Sequence, residues 1–592
     1  MSGLAAILGA EQPDTAAAKL MLGSAPHRGS RIELVTHGRC VLAVTNDPTY
    51  EEACVGIDDG WAAAITGRLD NAADVARRLS RRGPSSQAPS PATILARAFG
   101  ELGDDVPNLL RGAFAAVVTD GRRMWCFRDH VGFETLFFRR DARGAFVASE
   151  AKQVVAGSGC PREPDQEVLE QIFYDDVEDH TRCALQGVRR ILAGGILSAD
   201  GGPARWRWYW HPERVLESAS FPHDELPSRF EDVMSLAVTR MLGGADAASL
   251  SGGIDSPAIA AFGAPQHRRR FGRSLMALSA VYPDFPSADE LPFIEEVASA
   301  LDMPLHTYRP RPQRLTRLRD WVQLFDGPWP TWSPSGAEQR LGVARDLGLR
   351  TLLDGNLAEQ VMAMQRFLVA HLSATGRIGV ALRYLRRDRA EGASLRRIAR
   401  QLVSPFVPGW AVAAYLRRNP LMAVPPWLSR ERVNAARVKA ARPLRRMWME
   451  AQLAGFRGSS LPLEASATLY SIFGVRERMP WGDVDLWEFF LSLPAEIKFP
   501  HPQMKSLVRG LLRGRVPDRI LQRQDKTVLN EWFEATSLDY PSLRRWLLRP
   551  SYRVPGVDYG MLAERLERCD MDLAEYVWAK DLAGVHAFLD LW

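Results

Sequence analysis

Residues 249–256 read Ser-Leu-Ser-Gly-Gly-Ile-Asp-Ser, and their types and spacing suit the gripping of an anion. An alanine-rich stretch precedes them, and Pro257 with the apolar run Ala258–Ala261 follows. That order predicts a short strand, a glycine turn and then a helix. Gly252 and Gly253 let the backbone turn tightly and come close to a ligand. Ser251, Ser256 and the free N–H groups at the helix start are then placed to bind phosphate oxygens. Asp255 would repel a bare phosphate, and a Mg²⁺ between the two reconciles them.

The surrounding elements must hold this turn at an open edge. Strand-like runs at Leu275–Val281 and Thr351–Leu353 alternate with a helical pattern over Asp289–Leu301. This alternation predicts a parallel, doubly wound sheet with the glycine turn at the carboxyl end of a strand. Before it, residues 1–205 carry short apolar runs, among them Cys40–Val44, Trp61–Ile65, Ala113–Val118 and Gly144–Ala148. They predict a separate sheet-rich domain. The polar stretch Ser218–Pro227 reads as part of a linker over 206–227, and the chain beyond 365 reads as helical.

A length of 592 residues requires more than one domain. No apolar run reaches the roughly 18 residues of a membrane span. The first residues lack a basic segment and read as a strand, not a signal peptide. Six scattered cysteines form no C-x-x-C pair, which argues against a zinc site or a disulfide scaffold and fits a reducing cytoplasm. The net charge of +5 hides an asymmetry: Arg366 to Arg446 holds 17 Arg and one Lys against Asp388, Glu391 and Glu431, so the rest of the chain is acidic. This basic segment, 366–450, also carries Trp410, Trp427 and Trp448. It reads as a groove lining for an acidic or peptidic partner, or as a solvated helical face with snorkelling arginines.

The 251–256 string resembles the pyrophosphate loop of N-type ATP pyrophosphatases, which cleave ATP to AMP and pyrophosphate. Further segments resemble asparagine synthetases in the same order: Asp354–Glu359, Gly474–Asp483, Gln503–Arg509, and Val516–Arg523 followed by Lys526. In the N-terminal part, His27-Arg28-Gly29, Thr66-Gly67, Gly112–Ala115, Arg128-Asp129, Gly132 and Ser149–Lys152 resemble landmarks of class II glutamine amidotransferases. The resemblance implies an α/β multidomain fold: an Ntn-type αββα domain over 1–205 and an ATP pyrophosphatase domain over 228–592 with helical additions.

The same resemblance implies ATP and Mg²⁺. It places adenine beside Leu250 and Leu278, the phosphates on Ser251, Gly252, Gly253 and Ser256, and Asp354 and Gly355 at the nucleotide. Asp255 and Glu359 become the Mg²⁺ ligands, and Lys505 and Arg509 meet pyrophosphate. Lys526 becomes the oxyanion stabiliser, its alternative being a surface lysine. Glu464, ten residues before Gly474, has the spacing of a β-lactam synthetase glutamate that orients a base or takes the amine proton. Its alternative is a helix-surface residue.

Two departures bear on function. A class II glutaminase has Cys after Met, where this chain has Ser2, and the N-G-E segment reads Thr66-Gly67-Arg68. The glutaminase therefore reads as degenerate, and the amine must come from elsewhere. Relatives of that kind include β-lactam synthetases and lasso-peptide macrolactam synthetases. The basic segment favours the second, with a linear lasso core peptide as substrate and a leader peptidase or leader-binding protein as partner. Alternatives are a small-molecule amide or β-lactam synthetase, an asparagine synthetase-like enzyme using free ammonia, and a non-catalytic binding protein. The amidotransferase-like domain argues against a nucleic-acid substrate.

Overall fold

A computed structural model describes residues 2–47, 52–79, 89–328, 334–362, 367–419, 424–439, 441–457, 461–525 and 527–592. The N-terminal domain is built on two six-stranded antiparallel sheets. In the first, the buried strand Gly3–Gly9 lies between Cys40–Asn46 and Gly144–Ala148. In the second, Trp61–Leu69 lies between Ala53–Asp58 and Gly112–Thr119. Side chains alternate across each strand. Leu4, Ala6 and Leu8 therefore meet Ala62, Ala64 and Val117 between the sheets. Ala5 and Ile7 face outward onto the helices Thr15–Gly23 and Ala151–Ser158. The helix Pro91–Leu102 covers the other sheet through Leu95 and Phe99, which completes an αββα sandwich. The strand Arg205–Trp208 belongs to this second sheet, and the next α-helix begins at Leu226.

The second domain holds a five-stranded parallel sheet in the order Leu305–Tyr308, Met276–Ala280, Asp246–Ser249, Thr351–Leu353, Arg476–Arg478. The expected strands at Leu275–Val281 and Thr351–Leu353 are both present. The chain winds outward from Asp246–Ser249 in one direction and then returns to its other side. That reversal leaves a crevice between the loops after Ser249 and Leu353, where ligands of such sheets bind. All six cysteines are free thiols. No helix among the described residues is long and apolar enough to cross a membrane.

Beyond residue 366 the described chain is almost wholly helical. Two of the tryptophans expected in a groove are core residues instead. Trp427 is 1% exposed and donates its indole N–H to Glu575 Oε1 at 2.8 Å. Trp448, equally buried, stacks on His371 and packs with Leu368, Leu372 and Phe499. Large rings with a single donor are held inside when that donor finds a partner or the ring area outweighs its loss. The last helix, Leu573–Leu589, packs Trp578 against Phe173 of the first domain, so one core spans both.

Candidate active site

The 251–256 segment forms a turn between the strand Asp246–Ser249 and the helix Asp255–Phe271. The Ser251 N–H donates to Ser256 Oγ at 2.9 Å, and the two hydroxyls lie 3.0 Å apart. Ser251 is exposed and Gly253 half-exposed, so the turn opens to solvent. Gly252 is buried for another reason. A Cβ there would lie 2.6 Å from Arg523 Nη1 and 3.0 Å from Phe293 Cβ. Its peptide is clamped: Glu290 Oε2 accepts the N–H at 2.9 Å, and Arg523 Nη1 donates to the carbonyl at 2.9 Å. Arg523 also pairs with Glu290 at 2.7 Å and lies over the Phe293 ring. Gly252 thus serves the clamp, and Gly253, with only Ser251 Oγ within 4 Å of a would-be Cβ, leaves the approach to a ligand open.

The second loop rests on the first. A Cβ on Gly355 would lie 2.9 Å from the Ser256 nitrogen and 3.2 Å from Asp255. The close approach expected of Gly355 toward nucleotide is therefore, in this structure, an approach to the phosphate loop itself. Lys505 reaches in from its left-handed turn (φ 60°) and places Nζ 2.7 and 2.5 Å from the Asp255 carboxylate oxygens. Trp481 donates its indole N–H to the Asp255 carbonyl at 3.0 Å. Arg509 donates to the Ile520 and Leu521 carbonyls, which fastens the Lys505 segment to the stretch that carries Arg523.

Three expectations need correction. Leu250 and Leu278 do not flank one ligand. Leu250 packs with Ala248 on one face of the sheet, and Leu278 packs with Ala247 and Leu352 on the other. Both are buried, and they meet only through backbone, Leu250 N–H to Leu278 carbonyl at 3.0 Å. The Asp354 carboxylate, expected at the nucleotide, is taken up by protein partners instead. It is 6% exposed, accepts the Asn356 N–H at 2.8 Å and pairs with Arg340 at 3.5 Å, so it shapes the second loop.

Glu464 is neither a base at the loop nor a surface residue. It is buried between two arginines of the first domain, with Arg128 Nη1 at 3.0 Å from Oε1 and Arg190 Nε at 2.7 Å from Oε2. It lines an interdomain cleft with Thr135, Glu150 and Asp326, and no residue of the 251–256 loop borders that cleft. It lies on the helix Leu461–Phe473, and the partners across the interface fix its surroundings.

The sequence reading missed a buried cluster beside Asp354. Arg340 pairs with Glu477, whose Oε2 accepts the Tyr470 hydroxyl at 2.8 Å. Burial lifts the Glu477 carboxyl above the ordinary carboxylate range, with Arg340 pulling the other way. Glu477 lies inside the recognised segment Gly474–Asp483, whereas Arg340 and Tyr470 carried no sequence signal. Glu359 is exposed on the short helix Ala358–Met362, close in sequence to Gly355. Lys526 lies outside the described residues.

The donor set fits a Mg²⁺-bound polyphosphate. Among the described residues no three His, Cys, Asp or Glu side chains are grouped to hold a metal by themselves. Mg²⁺ keeps several waters and takes one or two carboxylates plus substrate phosphates, and Asp255 at this crevice is a carboxylate of that kind. Lys505 pairs with the Asp255 carboxylate beside the 251–256 turn.

In the first domain, Ser2 Oγ and Thr66 Oγ1 are 2.6 Å apart, and both residues are fully buried. Arg28 donates to the Ser2 carbonyl at 3.3 Å and pairs with Glu150. Gly67 (φ 89°) packs so closely on the Ala113 carbonyl that only glycine fits, and the adjacent Arg68 is spent on Asp70, Nη2 to Oδ2 at 3.1 Å.

An αββα domain with a buried Ser2, set before a parallel sheet with a glycine turn at its switch-point crevice, is a two-domain arrangement of the amidotransferase-linked kind. The chain belongs to the Asparagine synthase family, which residues 229–587 match, and residues 1–210 match the Glutamine amidotransferase domain. It is thus an asparagine synthetase-like, ATP-dependent, AMP-forming carbon–nitrogen ligase. It is 23% identical to asparagine synthetase [glutamine-hydrolyzing] 3 of Bacillus subtilis over 84% of this chain and 80% of that one. It is 25% identical to the root asparagine synthetase of Pisum sativum over 44% and 42%. A glutamine phosphoribosylpyrophosphate amidotransferase of B. subtilis aligns at 12% identity and a TM-score of 0.28, over 60% of this chain and 91% of that one.

Proposed function

We propose that this ligase closes a macrolactam in a ribosomal peptide of the lasso kind, using an amine of the substrate itself. The observation that carries the reading is the Ser2–Thr66 pair: both side chains are buried and bonded to each other, and neither is a thiolate. A glutaminase needs an exposed, activated nucleophile and a substrate-binding acid, and Arg68 stands where that acid would be. Ammonia from glutamine is then not available, and in this reading the substrate supplies its own amine.

In this reading an Asp or Glu side-chain oxygen of the peptide attacks the α-phosphorus of ATP, and pyrophosphate leaves. The peptide's N-terminal amine then attacks the acyl carbon, loses a proton, and AMP departs. Ser251, Ser256 and the Gly253 N–H hold the phosphates, and Lys505 swings from Asp255 to the leaving pyrophosphate. Asp255 and Glu359 would hold a Mg²⁺, which would offset phosphate charge. Lys526, by resemblance, is the group assigned to stabilise the developing oxyanion. Holding the two ends together supplies much of the rate. The helix Ile378–Ala390 touches the segment that leads to Lys505: Arg387 donates to the Pro500 carbonyl, close before Lys505 in sequence. Arg383 and Arg386 are exposed on the same helix and suit an acidic peptide. A leader peptidase or leader-binding protein would deliver the core peptide.

The curated relatives favour a second reading, an amide synthetase acting on a small carboxylate with free ammonia or an internal amine. Release of AMP and pyrophosphate separates the two. A linear lasso-type core peptide should stimulate AMP formation and lose one water by mass spectrometry, with Lys526→Ala blocking ring closure after adenylation. AMP formation with aspartate and ammonium, and none with peptide, would refute the macrolactam reading.

A further inference from the structure

Three of the most exposed large apolar side chains fall close together: Phe406 at 82%, Trp410 at 76% and Leu395 at 70%. Val403, Tyr415 and Leu402 beside them are also exposed. The helix Leu395–Val403, capped by Ser394, has no buried residue. At 100° per residue, Leu395, Ala399, Leu402 and Val403 share one arc, and Arg396, Arg400 and Arg397 occupy the arc next to it. Only Ile398, at the edge of the apolar arc, packs against the neighbouring core. Pro405 and Val412 are buried and anchor the chain on either side of Phe406 and Trp410. The apolar face is therefore held outward by its own supports.

Charge surrounds it on every side. Residues 377–419 contain ten arginines and two acids, Asp388 and Glu391. Asp388 is buried and paired with Arg397 at 3.1 Å, so little negative charge reaches the surface. Arg396, Arg400, Arg417 and Arg418 are exposed.

We propose that this surface seats the enzyme on an anionic lipid bilayer. A basic amphipathic helix with Leu and Val on one arc, followed by protruding Phe and Trp, has the make-up of a segment lying in the headgroup plane. Arginine stems can cover apolar surface while their heads meet lipid phosphates. Side chains exposed to 70–82% protrude from the surface, and a fluid interface accepts them without matching pockets. The attachment is peripheral, since no described helix can span a membrane.

The test is flotation of the full chain with vesicles of phosphatidylcholine alone and of phosphatidylcholine with phosphatidylglycerol in equal parts. The expected result is binding to the anionic vesicles only, weakened at least about tenfold by added salt. Phe406→Ser with Trp410→Ser should lower it at least about tenfold, and Arg396→Glu with Arg400→Glu should do the same. Unchanged melting temperatures would show that these surface variants remain folded. Absence of binding to either vesicle, or binding unaffected by both pairs of substitutions, would overturn the proposal. So would absence of lipid binding together with loss of peptide-dependent AMP formation in Phe406→Ser/Trp410→Ser, which would make the face a peptide or protein contact.

Discussion

Replacing Glu464 by Gln removes the negative charge held between Arg128 and Arg190 and tests whether this residue ties domains or moves a proton. The three side chains are at most 9% exposed, so water cannot take over the lost interaction. Breaking a buried ion pair from one side costs about 3–5 kcal/mol. The lower end applies here. Arg128 keeps the carbonyls of Gly132, Glu134 and Ile191, Arg190 keeps those of His180 and Arg182, and Gln retains one acceptor. Over the roughly 360 residues of the synthase domain, an unfolding entropy of about 2 cal/mol/K per residue turns 3 kcal/mol into a melting-temperature fall of about 4 °C. Calorimetry reads that fall, and ATP–pyrophosphate exchange reads the first chemical step. We expect the fall in melting temperature, with exchange by the folded protein changed less than about threefold. An unchanged melting temperature with normal exchange, but amide formation reduced about a hundredfold, would refute the reasoning and return Glu464 to the chemistry.

Other outcomes follow from the same geometry. Arg523→Met removes the donor to the Gly252 carbonyl and the partner of Glu290, and should lower kcat/KM for ATP in pyrophosphate exchange by about 10- to 100-fold. Ser2→Cys should produce no glutamate from glutamine, because Thr66 and Arg68 still occupy the site, and any steady glutamate release would contradict this. Burial lowers the Lys498 ammonium to about 7, with Gln452 Oε1 its partner at 2.8 Å. The unfolded chain, at about 10.4, binds more protons between those values, so this group's contribution makes stability rise with pH from about 7 to about 10. Lys498→Met should flatten that rise in urea unfolding, gaining most below about pH 7, where the native protein must otherwise bury a cation.

Residue types with short-range meaning were legible in the sequence. The glycine turn after Ser249, the strand Thr351–Leu353 and the run of helices past residue 365 could all be read from composition, period and order. Each depends on contacts within a few residues. Gly252 and Gly355 were recognised as necessary glycines, but what needed the space was Arg523 in one case and the helix start at Asp255 in the other.

Roles that depend on a partner far along the chain were decided only by the tertiary structure. Glu464 finds Arg128 336 residues away, and Lys505 finds Asp255 across 250. Trp427 and Trp448 went inside while Trp410 stayed out, though all three sit among arginines in the sequence. Leu250 and Leu278 were separated by the pleat, which sends neighbouring side chains to opposite faces according to register. A local pattern states what a side chain can do; which groups it meets is settled by the packing of whole elements, where burial makes an unpaired charge or an uncovered ring too costly to keep.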